Sequence, residues 1–395
     1  MVYFLQEVKN MPLIKWLSVC LLFLCSNAVV SSDFATVVDE PFLSFYNQSG
    51  LVKLYETDRE GIYQSNVGIE LFLNKRIIVE TKKHYFSQLN ETQGVSKIQI
   101  LAELEHTQIV LLTAKAELFI QVFNSLKNEL NVVQVQPDFA IVKESSFNKQ
   151  IQEQPFKLDA ITLKDLPLSS CSSPTSKRIA IIDDGFNFEH PLLSDLDFIL
   201  AYDADKRATS KMFQQNGHAS MVTATIAQQL SDDQSPVTAQ YIALQQSSTL
   251  TSAMILAFSI SQKMNAHIIN TSWTLPFLSD FLSKVIDHGL VNGGVDFVVV
   301  SAGNHSQPAC EFNHLAKIKG VTIVGAHTTE GAISGFSNYG KCVDIYAPEK
   351  VVLNHKKGTL KALGTSAAAA MVSGELARLL SCGLTKAQIH KKLKT

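Results

Sequence analysis

Four separated segments carry the side chains that acyl transfer needs. One is Gly364-Thr365-Ser366-Ala367-Ala368-Ala369-Ala370-Met371-Val372-Ser373-Gly374. Alanine is the best helix former. Ser366 therefore reads as a hydroxyl at the N-terminus of a slim, deeply packed helix, near the positive end of its dipole. That position suits a nucleophile beside which negative charge develops. A Ser cap on a buried helix is the other reading. His218 lies in Asn216-Gly217-His218-Ala219-Ser220, at the head of a second helix of small residues. Asp183 closes the run Arg178-Ile179-Ala180-Ile181-Ile182, and Asn304 follows Val298-Val299-Val300-Ser301-Ala302-Gly303. A Ser hydroxyl is a weak nucleophile until a His takes its proton, and a carboxylate on the other ring nitrogen fixes the tautomer. A side-chain amide can donate to the oxyanion of a tetrahedral intermediate. Taken singly, Asp183 could be a helix cap or metal ligand, His218 a core histidine and Asn304 a turn residue.

The elements that must position these residues are legible from Lys177 onward. Continuous apolar strands (Arg178–Ile182, Tyr241–Leu244, Ala266–Asn270, Val295–Val300, Val321–Ala326) alternate with helices over Ser252–Met264 and Leu282–Asn292. Strands of that kind mark a sheet buried on both faces, and the alternation predicts an α/β layered domain with a mostly parallel sheet. Sites in such sheets sit at the carboxyl ends of the strands. Asp183, Ser272 and Asn304 all lie just past such ends.

The four motifs together resemble those of the subtilisin-like serine proteases, the subtilases. Ile179-Ala180-Ile181-Ile182-Asp183-Asp184-Gly185 with His190-Pro191 is similar to the family's Asp motif. Gly217-His218-Ala219-Ser220 is similar to its His motif, Val300-Ser301-Ala302-Gly303-Asn304 to its oxyanion segment, and Gly364-Thr365-Ser366 to its Ser motif. The order Asp, His, Ser is that of subtilisin. Phe336-Ser337-Asn338-Tyr339-Gly340 through Ala347-Pro348 is most similar to the proteinase K and aqualysin branch. The likeness covers about 177–393 and implies a three-layer subtilisin-like domain. It implies Asp183, His218 and Ser366 as the triad and Asn304 as the oxyanion donor. Ser272, Trp273 and Thr274 would be the substrate-pairing segment and Ser301, Ala302 and Gly303 the other pocket wall. Cys310 and Cys342 stand where that branch has a disulfide; Cys171 and Cys382 are left over. No cofactor is required and no metal-ligand spacing stands out. Structural calcium is common in the family, with Ser231-Asp232-Asp233 one acidic loop able to host it. Several positions depart from the pattern: Ala219 and Met221 after the His, Thr274 for a pocket Gly, Glu349 after Pro348, and Ala370 for a helix Pro.

Residues 68–143 predict a small β-α-β-β-α-β unit. The resemblance implies that this α+β unit is a pro-domain, a folding aid and intramolecular inhibitor. Residues 144–176 lack a sustained period and read as an exposed linker, where self-cleavage between Lys143 and Lys177 is expected. Residues 33–67 have no assignment. Residues 1–32 read as an export signal, with Lys9 and Lys15 before the apolar run Trp16–Cys25 and small residues at Ser26-Asn27-Ala28. As a membrane anchor Leu13–Val30 is marginal, so no stable span is expected and the protein is expected to be secreted, extracellular or periplasmic. In 395 residues the net charge is −2 with no basic tract, which argues against nucleic-acid binding. The expectation is a secreted, monomeric serine endopeptidase acting on polypeptides, made as a self-processing zymogen. The rival is a catalytically weak or inactive protein of the same fold that binds peptides or stays capped; an esterase would share the triad but lack the pairing strand.

Overall fold

The structure, a computed structural model, describes residues 40–48, 50–142, 162, 174–209, 217–231, 237–355 and 358–393. The proposed export signal, Cys171, Asp232, Asp233 and nearly all of the linker lie outside the described residues.

The front unit contains β1 (Leu43–Asn47), β2 (Gly50–Glu56), β3 (Ile62–Ser65), β4 (Glu70–Lys82), α1 (Phe86–Asn90), β5 (Val95–Glu103), β6 (Thr107–Ala114), α2 (Phe119–Leu126) and β7 (Val132–Ile141). From β4 onward this is the expected β-α-β-β-α-β order. The antiparallel sheet runs β1-β2-β3-β4-β6-β5, with β7 on the other side of β4. The sheet thus begins at Leu43, upstream of the boundary at Gly68 read from the sequence. β4 is continuous through Asn74-Lys75. Lys75 takes a left-handed φ of 55°, and the register against β7 shifts between Leu73 and Ile77, so a bulge is accommodated without ending the strand. Likewise β7 is continuous through Pro137-Asp138.

The main domain follows as β8 (Lys177–Asp183), β9 (Asp197–Asp203), β10 (Ala208–Thr209), α3 (His218–Leu230), β11 (Ala239–Gln245), α4 (Thr251–Lys263), β12 (Ile268–Thr271), α5 (Asp280–Val291), β13 (Phe297–Ser301) and α6 (Ala309–Phe312). It continues with β14 (Val321–His327), β15 (Ile345–Pro348), β16 (Lys350–His355), β17 (Gly358–Leu363), α7 (Gly364–Ser381) and α8 (Lys386–Lys392). The sheet order is β10-β9-β11-β8-β12-β13-β14-β15. All neighbours are parallel except the short edge strand β10. Strand side chains alternate between faces, and β8 shows what that does here. Its Ile179 and Ile181 join a core with α3, α7 and α8, while Ala180 and Ile182 join a core with α4 and α5. The result is three layers, helix–sheet–helix. Small residues let α7 sink against α3. A Cβ on Gly374 would stand 2.6 Å from Gln229 Cβ and 2.9 Å from the Ile226 carbonyl oxygen, closer than real contacts allow.

The front sheet lies on α4 and α5. Ile78, Leu101, Ala102, Ile109 and Leu111 share their core. Phe277 of the main domain is buried in the front unit's own core, 5.4 Å from the Phe139 ring. Asp138 is fully buried and receives Ser252 N (2.9 Å), Ser252 Oγ (2.7 Å) and Asn74 Nδ2 (2.9 Å), with Arg76 at 2.8 Å. Leu250 is the N-cap of α4 and has no side chain able to cap it. Asp138 does so instead, placing a negative charge at the positive helix end. At α5, Ser279 caps Phe281 N and donates to Gln136 Oε1 at 2.8 Å. Asp280 accepts from Gln48 N (2.8 Å) and Gln134 Nε2 (2.9 Å).

Candidate active site

Each site residue is placed by a break in regular structure at the carboxyl edge of the sheet. Asp183 is the last residue of β8, His218 the first of α3, and Ser366 lies in the first turn of α7. Ser272 and Asn304 follow β12 and β13. Asp183 is 2% exposed. Its Oδ1 accepts from Asp184 N at 2.8 Å and from His218 Nδ1 at 2.7 Å. That bond commits Nδ1 to the carboxylate and leaves Nε2 as the ring's free basic atom. Burial pulls the His218 pKa down, but the Asp183 hydrogen bond and charge, with the charge of Asp184, outweigh it; the net shift is above the ordinary value of 6.5. Asp183, Asp184 and His218 bring their ligand-type atoms within 4.8 Å of one another. Nδ1 is already given to Asp183, a bond that orients the ring.

Ser366 is 8% exposed. Its Oγ donates to the Ser272 carbonyl oxygen at 3.1 Å rather than to His218. Ser272 Oγ in turn lies 3.3 Å from the Ser366 carbonyl oxygen and 3.0 Å from Asn270 Oδ1. The hydroxyl is thus engaged by the chain segment beside it.

Asn304 is oriented by its acceptor end. Thr365 N and Oγ1 both donate to Asn304 Oδ1, at 3.0 and 2.9 Å. The Thr365 hydroxyl has no choice of direction, because it accepts from Gly303 N at 3.2 Å. With Oδ1 held in this way, Nδ2 is the end left to donate. Gly303 has φ +107°, and a Cβ there would stand 2.5 Å from Asn338 Nδ2 and 2.9 Å from Thr274 Cγ2. Only glycine allows this turn.

The two expected walls come together, but not identically. Trp273 turns its indole back, donating to the Ile182 carbonyl oxygen at 2.8 Å. Thr274 points its methyl at Gly303, so the walls press on each other where the resemblance leads one to expect a Gly. Three buried asparagines that the sequence reading did not single out hold this frame. Asn338 donates to the Ala302 carbonyl oxygen (2.9 Å) and accepts from His305 N and Gln307 N (3.0 Å each). Asn313 ties both walls, donating to the Ser301 carbonyl oxygen (2.9 Å) and accepting from Leu275 N (3.3 Å). Asn270 donates to Ser373 Oγ at 2.9 Å. Only the tertiary fold distinguishes these from ordinary turn asparagines. Cys310 and Cys342 are disulfide-bonded, with 5.3 Å between their Cα atoms. Cys382 is disulfide-bonded as well.

Among known proteins, the subtilisin-like serine protease Pen c 2 of Penicillium citrinum is 41% identical over 102 residues, covering 25% of this chain and 22% of that protein. Rho m 2.0101 of Rhodotorula mucilaginosa, also a subtilisin-like serine protease, is 38% identical over 120 residues, 26% of this chain and 34% of the relative. The chain thus matches only about a fifth to a third of the length of these relatives. The crystal structure of the epidermin leader peptide processing serine protease of Staphylococcus aureus aligns with a TM-score of 0.55 at 16% identity. That alignment covers 81% of this chain and 91% of that one, a likeness of fold. The profile of the subtilase family matches residues 176–395. This span takes in more than half of the chain and all four motifs, in the order Asp183, His218, Asn304, Ser366, and the chain therefore belongs to the subtilase family.

Proposed function

We propose that this protein is a serine endopeptidase that hydrolyses peptide bonds through an acyl-enzyme. The observation that carries the reading is the Asp183–His218 pair at 2.7 Å, with Ser366 and an oriented Asn304 at the same sheet edge. Ser366 Oγ attacks the carbonyl carbon while His218 Nε2 takes its proton. The negative charge passes to the carbonyl oxygen, to which Asn304 Nδ2 donates. His218 then gives its proton to the leaving amine as the C–N bond breaks. Water enters and attacks the acyl carbon as His218 takes its proton, and His218 returns that proton to Ser366 Oγ as the acyl–oxygen bond breaks. Asp183 holds the tautomer throughout. Ser272–Thr274 and Ser301–Gly303 flank the acyl side, where an extended peptide would pair with Ser272–Thr274 as an added strand.

The front unit is best read as a pro-domain. It completes α4 with Asp138, completes the α5 terminus with Gln136, and takes Phe277 into its core. A segment so placed assists folding of the helices it caps, and export with later self-cleavage completes the zymogen reading. The same contacts favour a second reading, a chain that remains capped. A fluorophosphonate probe separates the two. The peptidase reading expects one covalent adduct on Ser366, lost in Ser366→Ala and slowed in His218→Ala. No adduct on a folded wild type would move the assignment to the capped, non-catalytic reading.

A further inference from the structure

Three buried polar side chains form a row across the sheet that ends in Asp183. Asp203 of β9, Gln245 of β11 and Asp183 of β8 are register partners on three adjacent strands. Ala201, Ala243 and Ile181, two residues earlier on each strand, all pack in or against the core with α3 and α7. Side chains two apart lie on one face, so the three polar groups share that face. Each residue is 2% exposed. The backbone between them is pinned. Gln246 N donates to the Asp183 carbonyl oxygen at 2.8 Å, and Ala204 N to that of Gln245 at 2.9 Å. The two carboxylates are not served alike. Asp203 Oδ1 accepts from Lys206 N at 2.9 Å, and its Oδ2 lies 3.2 Å from Lys206 Nζ. Asp183 Oδ1 accepts from Asp184 N and His218 Nδ1. Asp183 Oδ2, however, has no partner among the described residues, and neither has Gln245 Oε1. Burying either oxygen without a donor is unfavourable.

An amide carries an acceptor on one side and two donors on the other, and a half-turn exchanges them within the same volume. Neighbouring strands lie about 4.8 Å apart. Glutamine is one methylene longer than aspartate, so the amide of Gln245 reaches the carboxylate beside it. Asp203 is already paired with Lys206, which leaves Asp183 as the acceptor. We propose that Gln245 is a positioning residue for Asp183, its Nε2 donating to Asp183 Oδ2. The bond stops the carboxylate from turning and keeps Oδ1 on His218 Nδ1. It also engages part of the negative charge of Asp183, which moderates the pull on a proton at His218. Asp183 and Asp184 face that ring from β8, and His190 borders the same cavity as the ring. Asp203 with Lys206 stands two strands away from Asp183, and α7 carries no charge before Glu375.

The proposal rests on the peptidase reading, and its test keeps the two apart. Full-length Ser366→Ala protein labelled with ¹⁵N at histidine is titrated by NMR with and without Gln245→Met, an apolar residue of similar size. The His218 signal is identified by its loss in His218→Ala. With the amide donor gone, the full charge of Asp183 acts on the ring, and the His218 pKa should rise by about half a pH unit or more. A residue that only fills space would change the melting temperature and leave the titration in place. An unmoved His218 pKa in folded Gln245→Met therefore overturns the proposal. If Gln245→Met does not fold, the side-chain amide of Gln245 decides, observed in Ser366→Ala protein labelled with ¹⁵N at glutamine and identified by its loss in Gln245→Glu. Its signal should move as pH passes through the pKa of His218, and a signal that stays still overturns the proposal. In parallel, protein with Ser366 intact is assayed on a quenched peptide. A shifted His218 titration without hydrolysis by the wild type would keep the role of Gln245 and sink the peptidase reading. Hydrolysis with an unmoved His218 pKa would do the reverse.

Discussion

At the scale of single residues, the site is a set of side chains whose freedom has been removed by their neighbours. Asn304 presents Nδ2 because two donors of Thr365 hold its oxygen. Asn304→Ala should lower kcat by about 10²–10³, the cost of removing the corresponding donor in subtilisin. An unchanged rate would remove Asn304 from the mechanism. Thr365→Val should show a smaller loss of the same kind, since it releases the amide without deleting it. The raised pKa of His218 has a definite sign for catalysis. The base must be neutral, so activity is full above its folded pKa and falls as pH drops through it. The acid limb of kcat/KM should lie above 6.5. Asp184→Asn removes one of the charges that raise it, and the limb should move to lower pH. A limb that does not move would show that Asp184 is screened from the ring. Thr274→Gly should open the space against Gly303 and raise kcat/KM for substrates with larger acyl-side residues, read on a peptide series.

At the scale of elements, the front sheet and the α4–α5 pair finish each other. Phe277 is 2% exposed among front-unit side chains. Phe277→Ala should cost about 3–5 kcal/mol of stability, measured by denaturant unfolding of the Ser366→Ala chain. A loss under about 1 kcal/mol would mean that the site collapses around the gap. The Cys310–Cys342 link closes a separation of 32 residues. By chain entropy its removal should cost about 3–4 kcal/mol. Much of this architecture was legible in advance. The continuous apolar strands could only be buried parallel strands, and their ends placed Asp183, Ser272 and Asn304 on one edge. The strands β1, β2 and β3 were not legible, being 5, 7 and 4 residues long and half polar. Their alternation is too brief to stand out. Nothing local reveals that β7 carries the register of β4 past Lys75. Asn313 and Asn338 were silent because their roles are defined by backbone groups far away in sequence. The hydrogen bond from Ser366 to the Ser272 carbonyl is likewise a tertiary fact.

At the scale of the whole molecule, the account is of a hydrolytic domain built together with the unit that caps its helices. Among the described residues no helix is long and apolar enough to cross a membrane. Asp138 sits at the centre of the joint, bonded to Ser252 and paired with Arg76. Asp138→Ala should strand that arginine and uncap α4, loosening the front unit by several kcal/mol. Hydrogen exchange at α4 amides would report it, and protection equal to wild type would contradict the capping role. The central claim is that Ser366 attacks peptide bonds, and the nearest peptide bonds are the chain's own. Its most direct test is the intact mass of purified wild-type protein after incubation, beside Ser366→Ala. The account predicts that the wild type is cut once between Lys143 and Lys177 while Ser366→Ala stays whole. Both chains remaining whole under conditions that keep the fold, or both being cut alike, would contradict it.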